Sequence, residues 1–172
     1  MTTSPEINTV AISGATGLVG TSLTSLFQKE GKSVLAISRR DGTSYQDAIR
    51  WDPGSGLTNP ARLESVDAVV HLAGENIASG RWNNKLKARI LSSRVEGTRN
   101  LIKSIAAVEK RPRVLVSASA IGFYGDRGDT ELDESSAAGS GYLAEVCEAW
   151  EKEADAAAEL GLRVVKVRIG VV

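Results

Sequence analysis

Three glycines at a spacing of three, Gly14, Gly17 and Gly20, follow directly on the short apolar run Thr9-Val10-Ala11-Ile12-Ser13 and lead into an amphipathic segment. A buried strand that turns through glycines into a helix leaves no Cβ in the way of its backbone N–H groups. A dinucleotide pyrophosphate needs that arrangement at the first turn of a βαβ unit. Val19, Leu23, Leu26 and Phe27 then recur at helical spacing, and Gly31 stands where a helix C-cap would. The run from Lys32 to Ser38, centred on Val34, Leu35, Ala36 and Ile37, reads as a second strand and completes the unit.

The rest of the chain repeats the alternation. A turn-rich stretch from Asp41 to Pro60 contains one run, Ala48 to Trp51, that suits a short outer strand. Val66 to Gly74 is a buried strand ending in small residues, as a strand does where its carboxyl end meets a ligand. After a polar loop from Glu75 to Trp82, the residues Leu91, Val95, Thr98, Ile102 and Ile105 mark one face of a long helix that ends before Pro112. Arg113 to Ser119 is a strand that becomes polar at its end, and the polar, glycine-rich stretch from Gly122 to Gly141 is a loop of a length that usually serves function. Leu143, Val146, Cys147, Trp150, Ala154 and Ala157 form a last helical stripe, closed by Gly161, and Leu162 to Arg168 is the final strand. Strands alternating with helices predict an α/β Rossmann fold: a doubly wound parallel sheet of order 3-2-1-4-5-6 with helices on both faces, three layers in all, over residues 1–172.

Composition narrows the partners. With 172 residues and 42% hydrophobic content the chain can bury a core of its own, and 21 basic against 21 acidic residues leave no net field toward nucleic acid or an anionic membrane. A small molecule is the expected partner, and the oligomeric state is left open. Cys147 is the single cysteine, so neither an internal disulfide nor a CxxC metal site can form, and no metal is expected. The opening MTTSPEIN lacks the basic and apolar regions of a signal peptide, and no apolar run approaches the roughly 20 residues that span a bilayer, so a cytoplasmic setting is expected.

Cofactor preference is read at the end of the second strand. An acidic residue there bonds the ribose hydroxyls of NAD and repels a 2′-phosphate. Here the place holds Ser38, Arg39 and Arg40, and a guanidinium forks onto a phosphate, so NADP(H) is the expected cofactor. The alternative is a pair of solvated arginines opening a loop.

ISGATGLVG, DAVVHLAGENI and LVSASAIGFYGD resemble the first, fourth and fifth strand motifs of the extended short-chain dehydrogenase/reductase superfamily, the NAD-dependent epimerase/dehydratase group. GENIASGRW, SRVEGTRNLI, SAIGFYGDRGD, LDESS and YLAEVCEAWEKEA resemble more closely its atypical branch of epimerase family proteins, also described as nucleoside-diphosphate-sugar epimerase-like. The resemblance implies that Gly14, Thr16, Gly17, Leu18, Val19 and Gly20 hold the pyrophosphate, that the arginine after the second strand meets the adenosine phosphate, and that Leu72, Ala73 and Gly74 pass along the cofactor. It also implies that Ser119 hydrogen-bonds the substrate oxygen and that Tyr142 is the general acid/base.

The chain departs from that pattern in three places. The lysine expected four residues after the tyrosine, which lowers the phenol pKa from about 10, is replaced by Val146, while Glu145 beside it would raise that pKa if close. Arg94 stands where an asparagine is frequent, and could supply positive charge to the cofactor end of the site. Members of the superfamily also continue past the last strand motif into a substrate-binding region, so the chain reads as the N-terminal portion of a longer protein. An NADP-dependent oxidoreductase or epimerase acting on a small hydroxyl or carbonyl compound is expected, with a non-catalytic NADP(H) sensor as the alternative. Elsewhere, His71 is expected to be a hydrogen-bonded strand residue and Trp150 a core residue. Trp82 either stacks on substrate or covers the sheet edge. Tyr124 either lines the site or packs its loop, and Asp126 to Glu134 form a solvated acidic lid.

Overall fold

The computed structural model describes residues 6–39 and 48–171, and Arg40 lies outside them. Its elements are β1 (Thr9–Ser13), α1 (Leu18–Lys29), β2 (Ser33–Ser38), β3 (Ala48–Asp52), β4 (Gly56–Leu57), β5 (Ala68–His71), α2 (Asn84–Ala106), β6 (Val114–Ala120), α3 (Tyr142–Asp155) and β7 (Arg163–Ile169). They form one sheet of order β4-β3-β2-β1-β5-β6-β7. Every pairing is parallel except that of β4, which turns back antiparallel on β3. Without that two-residue strand the order is the expected 3-2-1-4-5-6.

Strand alternation sorts the core to the two faces. Ala11, Val69 and Leu115 point to one side, where Leu101 and Ile105 of α2 and Ala154 of α3 cover them. Val10, Ile12 and Val70 point to the other, against Leu23 and Phe27 of α1. Each fully buried Leu or Ile contributes about 2 kcal/mol by removal from water, and Ile12, Leu101, Ile105 and Leu115 are all sealed from solvent. Trp150 is in the core as expected.

The predicted helical stripes are partly out of phase with the buried ones. On α2 the buried side chains are Leu86, Ile90, Thr98, Leu101, Ile102, Ser104 and Ile105, while Leu91 is exposed. The reason is that the first turns of α2 pack on α3, through Leu86, Ile90 and Val146, and only its second half meets the sheet. Leu26 of α1 and Leu143 of α3 are likewise exposed. β7 is the edge strand, with Val167 42% exposed.

The topology places the carboxyl ends of β1, β2, β5 and β6 on one rim. The chain winds from β1 toward β3 on one side and from β5 toward β7 on the other, so the crevice between β1 and β5 is the switch point at which α/β sheets take ligands.

Candidate functional site

The glycine turn is shaped by close approach of backbone. Gly14 has φ +74°, and a Cβ there would lie 3.1 Å from the Ala73 nitrogen at the end of β5. A Cβ on Gly20 would come within 2.2 Å of the Gly14 carbonyl oxygen, so α1 can leave β1 this tightly only without one. Gly17 is the N-cap of α1; no side chain among the described residues caps that terminus, and no acidic residue occupies the first turn. Thr16, Gly17 and Leu18 are exposed, so the start of α1, where a helix leaves its first N–H groups without partners in the helix and carries the positive end of its dipole, lies at the surface.

Under this turn the strand ends are tied by side chains. The Ser13 hydroxyl oxygen accepts from the backbone N–H of Leu72 at 3.2 Å and of Ala73 at 3.3 Å. It also lies 2.6 Å from His71 Nδ1, and His71 Nε2 is 3.1 Å from the Thr98 hydroxyl. His71 is fully buried, with Trp51 edge-on at 5.7 Å, and burial lowers its pKa to about 4. It is the hydrogen-bonded strand histidine that was expected.

Arg94, on α2, crosses to the end of β5. Its Nη1 donates to the Glu75 carbonyl at 3.0 Å and to the Ile90 carbonyl at 3.2 Å, and the guanidinium lies 5.1 Å from the centre of the Trp150 ring. Gly74 makes room for it, since a Cβ there would sit 3.2 Å from the guanidinium carbon. Burial pulls the Arg94 pKa down, and its neighbours Cys147, Tyr142 and Glu75 pull it back up.

Tyr142 opens α3 after Gly141, with its hydroxyl donating to the Lys87 carbonyl at 2.5 Å and its ring edge-on to Trp82 at 5.9 Å. Burial raises its pKa, and the Arg94 charge is the main opposing influence. Glu145 is not among the groups that shift it. Val146 is 2% exposed and packs with Leu86, Ile90 and Tyr142, so the position of the absent lysine belongs to the interface between α2 and α3.

Ser119 is buried, and its hydroxyl donates to Glu151 Oε1 at 2.6 Å. Glu151 also takes Nε of Arg168 at 2.9 Å and Nη2 at 3.0 Å. Burial alone would raise the Glu151 pKa, but the bonds from Arg168 and Ser119 outweigh it and hold the carboxyl below its ordinary value. The Arg168 guanidinium stacks on Phe123 at 3.5 Å and donates to the Tyr124 hydroxyl at 2.9 Å, so Tyr124 anchors its own loop to β7. Ser119 and Tyr142 therefore sit in separate hydrogen-bond groups, with Cys147 in electrostatic contact with Glu151 on one side and Arg94 on the other.

Ser38 ends β2 half-buried and Arg39 follows it exposed. Trp82 is exposed, and its Nε1 donates to the Ile77 carbonyl at 3.0 Å, which holds the ring beside Tyr142. Asp126 to Glu134 are exposed, and among the described residues no three His, Cys, Asp or Glu are gathered as a metal requires. Nor is any helix of the described residues long and apolar enough to cross a membrane.

The profile of the NAD dependent epimerase/dehydratase family matches residues 10–172. The chain belongs to that family. An epimerase family protein of Mycobacterium bovis, Mb2239, is 40% identical over 163 residues, which are 95% of this chain and 53% of that protein. A nucleoside-diphosphate sugar epimerase from Corynebacterium glutamicum has a similar structure, with TM-score 0.80, 38% identity, and coverage of 95% of this chain and 34% of that one. The human epimerase family protein SDR39U1 (isoform 2), solved with NADPH, gives TM-score 0.77 and 35% identity over 93% of this chain and 52% of that one. The chain spans about half the length of the curated relatives it matches.

The NAD(P)-binding Rossmann architecture of this epimerase/dehydratase family is thus present from the first glycine to β7, and the residues at the switch point fit a dinucleotide. The fit rests on the absent Cβ atoms of Gly14 and Gly20 and on the uncapped, outward-facing start of α1. Sequence reasoning passed over Glu151 and Arg168. The available signal was Glu151 itself, an acidic residue one turn after Cys147 on the apolar stripe of α3, because a carboxylate on a buried face requires a partner.

Proposed function

We propose that this chain is the NADP(H)-binding part of an epimerase-like oxidoreductase acting on a small hydroxyl or carbonyl compound, a nucleotide sugar being one such class, in the cytoplasm. The observation that carries the reading is the placement of Arg94: with Val146 sunk between α2 and α3, the guanidinium against Gly74 is the charge that opposes the burial of the Tyr142 phenol, while Lys87 Nζ lies over the face of the Tyr142 ring at 5.2 Å. Gly14, Thr16, Gly17, Leu18, Val19 and Gly20 would hold the pyrophosphate, Leu72, Ala73 and Gly74 would border the cofactor, and Ser38 with Arg39 and Arg40 would meet the 2′-phosphate. The cofactor supplies hydride transfer when bound.

Arg94 stabilises negative charge on the oxygen that reacts and opposes the burial of the Tyr142 phenol, while Ser119 orients that oxygen from β6. NADPH bound to the human relative supports the phosphate preference, as does Arg39 exposed at the end of β2. The balanced charge supports a small-molecule partner over nucleic acid or a membrane.

A specific observation favours the second reading, a sensor that holds NADP(H) without turnover. The Tyr142 proton is given to the Lys87 carbonyl and the Ser119 proton to Glu151, so both expected catalytic hydroxyls have partners inside the protein. Fluorescence titration with NADPH and NADH, followed by cofactor oxidation against a panel of carbonyl compounds with the full-length protein, separates the readings. The enzyme shows turnover that Arg94→Ala abolishes, and the sensor binds NADPH tightly with no turnover. Equal affinity for the two cofactors removes the 2′-phosphate assignment.

A further inference from the structure

The single histidine of the chain does no chemistry in the proposed reaction, yet it is the most enclosed polar ring among the described residues and it touches both sides of the crevice. Counting donors fixes its proton. The Ser13 hydroxyl oxygen accepts the Ala73 N–H and shares the Leu72 N–H with the Ser13 carbonyl, which takes it at 3.1 Å; with its oxygen already an acceptor, the hydroxyl points its one proton to His71 Nδ1 at 2.6 Å. Nδ1 is then bare, and Nε2 carries the hydrogen and donates to the Thr98 hydroxyl at 3.1 Å.

Each end of this chain of bonds meets a part of the site. At the Ser13 end, the Leu72–Ala73 peptide held by the hydroxyl is the surface on which Gly14 packs, with only 3.1 Å to spare for a Cβ. At the other end, Thr98 lies on α2 one turn after Arg94, on the same face of the helix, and the Arg94 guanidinium rests on Gly74, directly after that peptide. The ring therefore sets how far α2 stands from the ends of β1 and β5, and with it the distance between the glycine turn and the Arg94 charge.

We propose that His71 is a positioning residue for the cofactor site: the Nε2–H tautomer ties the Gly14 turn, through Ser13, to the helix that carries Arg94, through Thr98. This rests on the reading of the crevice as an NADP(H) site. Because the ring belongs to the only histidine, long-range proton–nitrogen NMR reads it without overlap; a protonated Nε2 and a bare Nδ1 at neutral pH are expected, with both nitrogen signals moving when NADPH is added. Replacing Thr98 by Val removes the acceptor at nearly constant volume. It should weaken NADPH binding by about tenfold, the equivalent of one lost buried hydrogen bond, while Thr98→Ser stays within about twofold of the native protein. A proton on Nδ1, nitrogen signals that ignore NADPH, or a folded Thr98→Val protein with native NADPH affinity each overturns the proposal, and the first two need no variant to fold. Native protein that binds neither NADPH nor NADH overturns the cofactor reading together with this role, whereas native binding with an unaffected Thr98→Val protein overturns this role alone.

Discussion

On the β1–α1 side the crevice is built from main chain, with Gly14 in the left-handed region and Gly20 pressed against the Gly14 carbonyl, whereas on the α2–α3 side it is built from long side chains, Arg94 laid over Gly74 and Tyr142 reaching back to Lys87. The difference is one of tolerance. A backbone surface is specified by what is missing, so an added methyl group is enough to spoil it. A side-chain surface is specified by charges and hydrogen bonds, which can be removed singly while the helices stay in place. The largest test follows directly: Gly20→Val should cost about 3 kcal/mol or more, since its Cβ meets backbone that cannot withdraw. Gly17→Ala, whose Cβ would lie 3.3 Å from the Gly14 carbonyl, should cost below about 1 kcal/mol, because only a few tenths of an ångström must be found. Urea melts of the two proteins check the pair, and similar losses would mean that the turn is not limited by this contact.

His71 joins the two sides and gives the next effect in size. Its folded pKa, about 4, lies below the ordinary 6.5, so the unfolded chain takes up a proton that the folded protein refuses. Stability is complete above pH 6.5 and falls as the pH drops toward 4, by about 3 kcal/mol in all. Asp67 and Glu151 are held below their ordinary values, so their contribution is present above those values and is lost only as the pH falls through the still lower folded ones. Urea midpoints measured between pH 7.5 and 4.5 should slope downward in the native protein and flatten in His71→Asn. An equal slope in both would remove the histidine as the cause.

Glu151 sharpens the comparison within the α3 side. Glu151→Ala leaves Arg168 with Tyr124, a loop carbonyl and the face of Phe123, and should cost about 2 kcal/mol, below the usual figure for an orphaned buried charge because Arg168 keeps these contacts and some contact with water. Glu151→Gln, which still accepts from Ser119, should cost less. If thermal melts rank the two the other way, the oxygen that accepts from Ser119 is not what holds the group together.

These two sides also differ in how much of them a linear sequence can reveal. The glycine turn was legible because its parts are adjacent: a strand, three glycines and a helix stripe all fall between Thr9 and Gly31, and the alternation of strands and helices carried the sheet order with it. The short β4 was missed, since two residues carry no alternation to read. The phase of α2 was misread because its first half faces a helix and its second a sheet, so no single stripe describes it. The Ser119–Glu151–Arg168 group joins residues from β6, α3 and β7, and its pairing depends on strand register that no local pattern encodes. The Arg94 substitution was visible as a departure from a family pattern, yet only the fold shows that Val146 is packed away and that this arginine opposes the burial of the Tyr142 phenol.

Gly74 is where the two kinds of surface touch, and it gives the smallest effect and the most specific one. A Cβ there meets the end of a flexible arginine at 3.2 Å, so the guanidinium can shift by a few tenths of an ångström at little expense. Gly74→Ala should change stability by less than about 0.5 kcal/mol, the range of surface substitutions that disturb no core contact. The displaced charge, however, is the one that opposes the raised pKa of Tyr142. Moving it away should raise the phenol pKa further, which a spectrophotometric titration at alkaline pH reads as a later ionisation of one tyrosine. A stable Gly74→Ala protein with an unchanged tyrosine titration would separate Arg94 from Tyr142 and leave the α2–α3 side without its coupling charge.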